Sequence, residues 1–225
     1  MAKGYAQKEG IDYEETFAPT SRITTIRCVI ALAAHNNWEV HQLDIKTAFL
    51  NGFLAEEVYV AQPPGFEVEG SERKVCRLKK ALYGLKQAPR AWYDRIHTHL
   101  LSLGFQNSPT EVTLYIRKRG ADLLILILYV DDMILTGPHP EKIVDFKREL
   151  QQSFSMTDLG QLHYYLGIQF ARSEGGIMMS QLKYIGQLLH RFQMEDCKPV
   201  STPLETGFHF SVKDGSGPCD ATSYQ

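Results

Sequence analysis

The longest uninterrupted apolar run in this 225-residue chain, Leu123 to Val130, is too short to cross a bilayer. A spanning helix needs roughly twenty such residues. Met1-Ala2-Lys3-Gly4-Tyr5 carries no apolar core of the kind that opens a secretory leader. Cysteine is sparse: Cys28, Cys76, Cys197 and Cys219 form no Cys-x-x-Cys pair. That argues against a zinc ribbon or a disulfide scaffold and fits a reducing compartment. An intracellular protein, cytoplasmic or nuclear and not secreted, with no membrane partner, is expected. The eight histidines show no metal-ligand spacing; His97 and His99 lie two apart, which on a helix sets them on different faces. No internal repeat is visible. Nor does one sign of charge dominate, with 24 Lys and Arg against 26 Asp and Glu, whereas nucleic-acid binders are more often basic overall.

A chain of this length can bury a sizeable core, in one domain or one multi-lobed domain, and its composition is ordinary for a globular protein. One stretch organises it: Leu123-Leu124-Ile125-Leu126-Ile127-Leu128-Tyr129-Val130-Asp131-Asp132-Met133-Ile134-Leu135-Thr136-Gly137. Apolar runs of this kind read as buried strands, and the acidic pair between them as a hairpin turn. The turn lacks the Asn-Gly or Asp-Gly that suits a two-residue connection. Adjacent carboxylates at the rim of an apolar sheet repel each other with little screening. Either the pair is a solvated turn, or a divalent cation there inverts the local charge logic. Between Arg73 and Arg95, eight bases (Arg73, Lys74, Arg77, Lys79, Lys80, Lys86, Arg90, Arg95) face one acid, Asp94. This run is either a solvated basic face or a surface turned toward phosphates.

In chain order, residues 1–22 read as a polar loop ending near Pro19. A helix follows Thr24-Thr25, with Ile26, Val29, Ile30 and Ala33 on one face. Residues 38–45 form a strand with Leu43 and Ile45 on one side and Trp38, Val40, Gln42 and Asp44 on the other. The plain role of Asp44 is to cap the turn after that strand. Short strands surround Tyr59 and Cys76, separated by Pro63-Pro64-Gly65. Pro89 opens a helix whose apolar face is Trp92, Ile96, Leu100 and Leu103 and which Gly104 ends. Leu114-Tyr115-Ile116 forms a hairpin with the long apolar run. The helix at 140–152 opens on Pro140-Glu141, and Ile143, Phe146, Lys147 and Leu150 give its period, the lysine stem snorkelling. A second hairpin joins 163–170 to 177–179. Ser180 caps a helix carrying Leu182, Ile185, Leu188, Leu189 and Phe192. Setting 53–88 aside, the order from 38 to 170 builds an α+β fold, an antiparallel sheet with helices on one face.

Three motifs in one order sharpen this reading. Tyr129-Val130-Asp131-Asp132 between apolar strands resembles the signature of reverse transcriptases. Leu43-Asp44-Ile45-Lys46-Thr47-Ala48-Phe49-Leu50-Asn51-Gly52 resembles their upstream aspartate motif. Leu82-Tyr83-Gly84-Leu85-Lys86-Gln87-Ala88-Pro89-Arg90-Ala91-Trp92 resembles their template and nucleotide motif in its copia-type form. The resemblance, to the reverse transcriptase domain of copia-type retrotransposon Pol polyproteins, covers nearly the whole chain. It implies the fingers and palm of a right-hand polymerase. Residues 1–37 and 53–88 would be fingers, 38–52 and 89–170 palm, 171–197 the start of a thumb or connection, and 198–225 a linker-like tail. The family's basic strand before Lys3 is missing, as are ribonuclease H, protease and integrase regions. A polyprotein fragment is therefore expected, in a cytoplasmic virus-like particle or the nucleus.

Nucleotidyl transfer needs an activated primer 3′-hydroxyl and a stabilised pyrophosphate, which two divalent cations can supply. Such hard cations want carboxylate oxygens. Asp44 and Asp131 are the expected ligands of two Mg2+ ions (Mn2+ is the alternative), with Asp132 a third catalytic acid. Strand alternation puts Asp131 on the face of Tyr129 and Asp132 opposite. The resemblance further implies nucleotide contacts from Thr47, Ala48, Phe49, Tyr83, Gly84, Lys86, Gln87 and Tyr129. It implies primer or template contacts from Lys79, Lys80, Arg90 and the hairpin Leu166-Gly167-Ile168. The plain alternatives are that Phe49 belongs to the core and that Leu166-Gly167-Ile168 is a strand with a packing glycine. The implied partners are an RNA or DNA primer–template and deoxynucleoside triphosphates. Two other functions stay open: a relic that binds duplex but adds no nucleotides, and a carboxylate metal nuclease that cleaves unprimed nucleic acid without triphosphates.

Overall fold

The long apolar run becomes a central strand buried on both of its faces. The computed structural model describes residues 2–204, 207–209, 211, 215, 217–218 and 220–224, in two units, Met1–Gln181 and Leu182–Gln225. The first unit contains helices α1 (Ile23–His35), α2 (Ala88–Ser102) and α3 (Pro140–Gln151). Its strands are β1 (Val40–Ile45), β2 (Tyr59–Ala61), β3 (Val75–Arg77), β4 (Gln106–Asn107), β5 (Leu114–Arg119), β6 (Asp122–Tyr129), β7 (Asp132–Thr136), β8 (Met156–Gln161), β9 (Tyr164–Tyr165), β10 (Ile168–Ser173) and β11 (Gly176–Ser180). Six of them form an antiparallel sheet in the order β4-β5-β6-β7-β1-β8. β9–β11 make a second sheet, and β2 and β3 pair as a hairpin.

Two cores flank the large sheet. On one face Leu43, Ile45, Leu126, Leu128, Met133 and Leu135 pack with Trp92, Ile96 and Leu100 of α2 and Ile143, Phe146 and Leu150 of α3. On the other, Val40, Ile125, Ile127 and Ile134 pack with Ile26, Val29, Ile30 and Ala33 of α1 and with Leu162, Tyr165 and Phe170. Two helices thus share one face as the sequence predicts, while α1 and the small sheet cover the other. β6 explains why: its Leu124 to Leu128 are all buried, and a continuously apolar strand must be covered on both sides.

Two helix details depart from the sequence reading. Lys147 does not snorkel. It is 7% exposed, and its Nζ donates to both carboxylate oxygens of Asp158, at 2.8 Å each, and to His41 Nδ1 at 2.9 Å. Ser180 ends β11 instead of capping a helix. α1 has neither a side-chain cap of its own nor an acid in its first turn. Glu111, distant in sequence, fills that place: its Oε2 accepts from Thr25 Oγ1 at 3.1 Å and the Arg22 amide at 3.4 Å, and its Oε1 from Thr113 Oγ1 at 2.7 Å. Burial pushes the Glu111 carboxyl up, but these donors outweigh it and hold it below its ordinary value.

In the second unit, α4 (Leu182–Arg191) has no buried residue. In the expected tail at 198–225, positions 205–206, 210, 212–214, 216, 219 and 225 lie outside the described residues, and Cys219 is among them.

Candidate active site

The site is set by a turn that sits one residue earlier than the sequence suggests. Tyr129 of β6 pairs with Asp132 of β7, so the connection is Val130-Asp131 and Asp132 already belongs to a strand. This reverses the predicted faces: Asp132, not Asp131, shares the side of Tyr129. The next pairing brings Asp132 directly opposite Asp44 on β1. Val130 takes a left-handed backbone, φ 56°, which costs a β-branched residue about 1–2 kcal/mol. Two hydrogen bonds fix the turn. Trp92 Nε1 donates to the Val130 carbonyl at 2.6 Å, and the Ile45 amide to the Asp131 carbonyl at 2.9 Å.

Like charges directly opposite each other destabilise an antiparallel pair. Among the described residues no Lys, Arg or His pairs with Asp44, Asp131 or Asp132. Burial, and then the charges of Asp131 and Asp44, push the Asp132 carboxyl up; the amide of Gln42, donating to its Oδ1 at 3.2 Å, opposes them. Two phenols lie in the same field. Tyr83 is raised by burial and by Asp131 and Asp44, and Tyr165 by burial and by Asp132, Tyr129 and Asp131. The buried Tyr165 hydroxyl has no hydrogen-bond partner among the described residues. Asp44 caps no turn among the hydrogen bonds found there. No three His, Cys, Asp or Glu side chains among the described residues converge into a ready metal cage.

Thr47, after β1, is also left-handed (φ 49°, ψ 45°) and opens a 3-10 turn at Ala48–Asn51. Its carbonyl accepts from the Leu50 amide at 2.9 Å and from Asn51 Nδ2 at 3.1 Å. Ala48 is buried. Phe49 is half-buried, touches two cores and lies 4.9 Å from the Tyr83 ring. Asp44, Asp131, Asp132, Tyr129, Phe49 and Tyr83 are thus gathered at one end of the sheet.

The remaining residues are placed less uniformly. Gln87 is 2% exposed, and both ends of its amide are engaged: its Oε1 accepts from Gln7 Nε2, and its Nε2 donates to the Asp12 carbonyl, each at 3.0 Å. The Lys86 amide donates to Gln7 Oε1 at 2.9 Å. Gly84 (φ 97°) lies so close to Gly4 that a Cβ on Gly4 would overlap its carbonyl. Arg90 is held by Glu15 and Asp94, at 3.0 Å each, while Lys79 and Lys80 are exposed. Leu166 (φ 49°) and Gly167 (φ 80°) form the two-residue turn between β9 and β10, next to Ile168. Sequence reasoning passed over Gln42, Glu15 and the hydroxyl of Tyr165. A glutamine two residues before Asp44, on the same side of the strand, was the one available signal.

The fold is thus a mixed α/β domain whose antiparallel sheet carries opposed carboxylates beside a strained hairpin turn and an aromatic-lined 3-10 turn. Residues 1–206 match the sequence profile of "Reverse transcriptase (RNA-dependent DNA polymerase)", and the chain belongs to that family. It is 43% identical over its full length to the "Retrovirus-related Pol polyprotein from transposon RE1" of Arabidopsis thaliana, covering 15% of that protein. It is 44% identical over 95% of its length to the "Retrovirus-related Pol polyprotein from transposon TNT 1-94" of Nicotiana tabacum, covering 16%. To the "Transposon Ty1-BR Gag-Pol polyprotein" of Saccharomyces cerevisiae it is 33% identical over 66% of its length, covering 8%. The chain therefore spans a small part of the curated relatives it matches. No solved structure matches it. Among the described residues, no helix is long and apolar enough to cross a membrane.

Proposed function

We propose that this chain acts as an RNA-directed DNA polymerase, extending a primer on an RNA or DNA template with deoxynucleoside triphosphates. The observation that carries this reading is the opposed pair Asp44 and Asp132, with Asp131 beside them and no paired base among the described residues. A fold that violates a local rule in this way does so where function requires it. Asp44 and Asp131 would hold two Mg2+ ions, with Mn2+ a substitute. Mg2+ is commonly held by one or two carboxylates together with substrate phosphates, not by an all-protein cage, which suits an arrangement without a closed ligand set. When bound, the cations would activate the primer 3′-hydroxyl and stabilise the departing pyrophosphate.

The chain's own residues do the positioning. Asp132, with one oxygen taken by Gln42, adds charge and is a poorer ligand than its neighbours. Trp92 and the Ile45 amide hold the Val130-Asp131 turn so that Asp131 cannot swing away. The turn at Thr47 and Ala48 would offer amides to the triphosphate, and Phe49, braced by Tyr83, would close the space at the sugar 2′ position beside Tyr129. Gln87 and Arg90, with the Lys86 amide, act as struts that tie the start of α2 to residues 7–15. Lys79 and Lys80 would meet template phosphates, and Leu166-Gly167-Ile168 the primer. In this reading residues 1–37 and 53–88 serve as fingers and the large sheet as palm.

Primer extension with Mg2+ on an RNA template tests it. Wild-type chain should extend the primer, and Asp131→Asn should bind primer–template normally while losing turnover. If Asp131→Asn keeps more than about a tenth of the rate, a barrier change of only ~1.4 kcal/mol, the ligand assignment fails. If the wild type binds duplex and adds nothing, the chain is a binding relic.

A further inference from the structure

We infer that a surface on the α2 side of the large sheet, centred on Phe53, Lys80 and Arg95, binds single-stranded nucleic acid apart from the carboxylates. Phe53 is 57% exposed and pairs with Lys80 in an isolated antiparallel bridge. The Lys80 ammonium lies 5.4 Å from the centre of the Phe53 ring. The Arg95 guanidinium lies 5.7 Å from the same ring and 5.4 Å from that of Phe154. His99 then meets Phe154 edge-on at 5.0 Å. The result is one exposed ring, Phe53, between two cations, Lys80 and Arg95, with Arg95 seated on the buried Phe154 ring behind it.

The charge on this cluster is held but not cancelled. A ring face fixes a cation without neutralising it, whereas a carboxylate does both. Arg77 and Arg90 of the same basic stretch are paired with acids. Lys80 and Arg95 are not, among the described residues, and neither are exposed Lys79 and Lys46, the latter bonded through its amide to the Ser155 carbonyl next to Phe154. Two unpaired cations of the stretch, Lys80 and Arg95, thus meet at the Phe53 ring. An exposed ring flanked by unpaired cations is the combination that holds one strand of nucleic acid, through phosphates and stacking together.

The cluster also faces away from the carboxylates. Leu43 and Ile45 point into the core shared with α2, so Asp44 between them points to the opposite side, while Arg95 rides on α2. The inference extends the role given above to Lys79 and Lys80 and rests on that reading only for the presence of a template.

The test is fluorescence anisotropy with a labelled oligo(dT) of about twenty nucleotides across a salt series. The double variant Phe53→Ala/Arg95→Gln should bind about tenfold more weakly. Its log–log salt plot should flatten by about 0.7, one phosphate contact on a single strand. Arg95→Lys should keep the slope. Lys46→Glu, an exposed change that disturbs no packing, should also weaken binding, and it keeps the test open if the double variant misfolds. On a primer–template with a short overhang, Phe53→Ala/Arg95→Gln should extend as wild type does. Unchanged affinity and slope in both variants would overturn the inference. So would a wild type that does not bind the oligonucleotide, or one that binds poly-glutamate in its place. If oligonucleotide binding depends on Phe53 and Arg95 while no variant, nor wild type, extends a primer, this surface stands and the polymerase reading falls.

Discussion

Replacing Asp132 by Asn should stabilise the isolated chain, the reverse of what removing a hydrogen-bonded carboxylate usually does. The change keeps size and shape, so no cavity opens, and Gln42 still finds an acceptor at the position of Oδ1. What disappears is repulsion from Asp44 directly across the strands and from Asp131 next in the chain. Cross-strand pairs of this kind are worth about 0.2–1 kcal/mol. For a chain of this size, a gain of about 0.5–1 kcal/mol raises Tm by about 1–4 °C. The control is Asp158→Asn, chemically the same exchange. There the carboxylate accepts both hydrogen bonds from buried Lys147, and its removal leaves an ammonium without a charge partner. The Asp158 side chain is 40% exposed, so solvent screens part of the effect and about 1–2 kcal/mol should be lost. Differential scanning fluorimetry without divalent cations reads both signs. A second arm adds Mg2+: at ten times its Kd it should stabilise wild type by about 1.4 kcal/mol, and Asp131→Asn should lose that increment. If Asp132→Asn lowers Tm as Asp158→Asn does, the carboxylates at the turn are structural and the reasoning from their repulsion is refuted.

Three further outcomes are expected. Phe49→Val should cost about 1–3 kcal/mol of stability because the ring touches two cores; in an active preparation it should also raise ribonucleotide over deoxyribonucleotide kcat/KM about a hundredfold, ~2.7 kcal/mol, and a ratio within threefold of wild type would remove Phe49 from the sugar contact. Because the Glu111 carboxyl is held below its ordinary value, its stabilisation is complete above the unfolded pKa of about 4.3 and is lost as pH falls through the folded value; Glu111→Gln should therefore be less stable than wild type at pH 7, with a gap that closes in acid titrations followed by circular dichroism. Val130→Gly should raise Tm, since relief of about 1–2 kcal/mol of left-handed strain exceeds the 0.5–1 kcal/mol of glycine entropy, and Val130→Ala should not.

Most of the sheet was legible because its signals are local. β1, β5, β6, β7, α2 and α3 each carry their own period or punctuation, and the three motifs carry the carboxylates. Whatever depended on a distant partner was not. Lys147 occupies a core position in its helix period, and only the approach of Asp158 and His41 turns an apparently snorkelling lysine into a buried, paired one. Glu111 lies in a loop with no pattern of its own, yet it supplies the cap that α1 lacks. The struts of Gln87 depend on residues 7 and 12, far away in sequence. The second layer over the sheet could have been read, because a strand apolar without alternation is buried on both faces. The turn was misplaced by one residue because an acidic pair looks more like a turn than Val130-Asp131 does, and a left-handed valine is an improbable choice on local grounds.

That valine is not an isolated oddity. Among the described residues, five other than glycine have a positive φ: Asn37, Thr47, Val130, Leu166 and Gln193. Asn37 needs no special account, since asparagine tolerates this region at a helix end, and Gln193 lies in the second unit. The other three stand at the turn after Asp44, at the turn holding Asp131, and at the β9–β10 turn that follows Tyr165. Each is a branched side chain where glycine or asparagine would fit more easily. Glycine would remove the strain but would also free the turn, and with it the carboxylate or amides that the turn presents. Strain of about 1–3 kcal/mol per residue persists only where neighbours over-determine it, and here the neighbours are visible: Asn51 on the Thr47 carbonyl, Trp92 on that of Val130. Opposed charge and two of the strained turns, those at Thr47 and Val130, therefore converge on the same end of the large sheet, while Leu166 belongs to the small one. Local preference alone would remove either one, and under the polymerase reading proposed above their coincidence is what a rigid site for cations would require of a sheet.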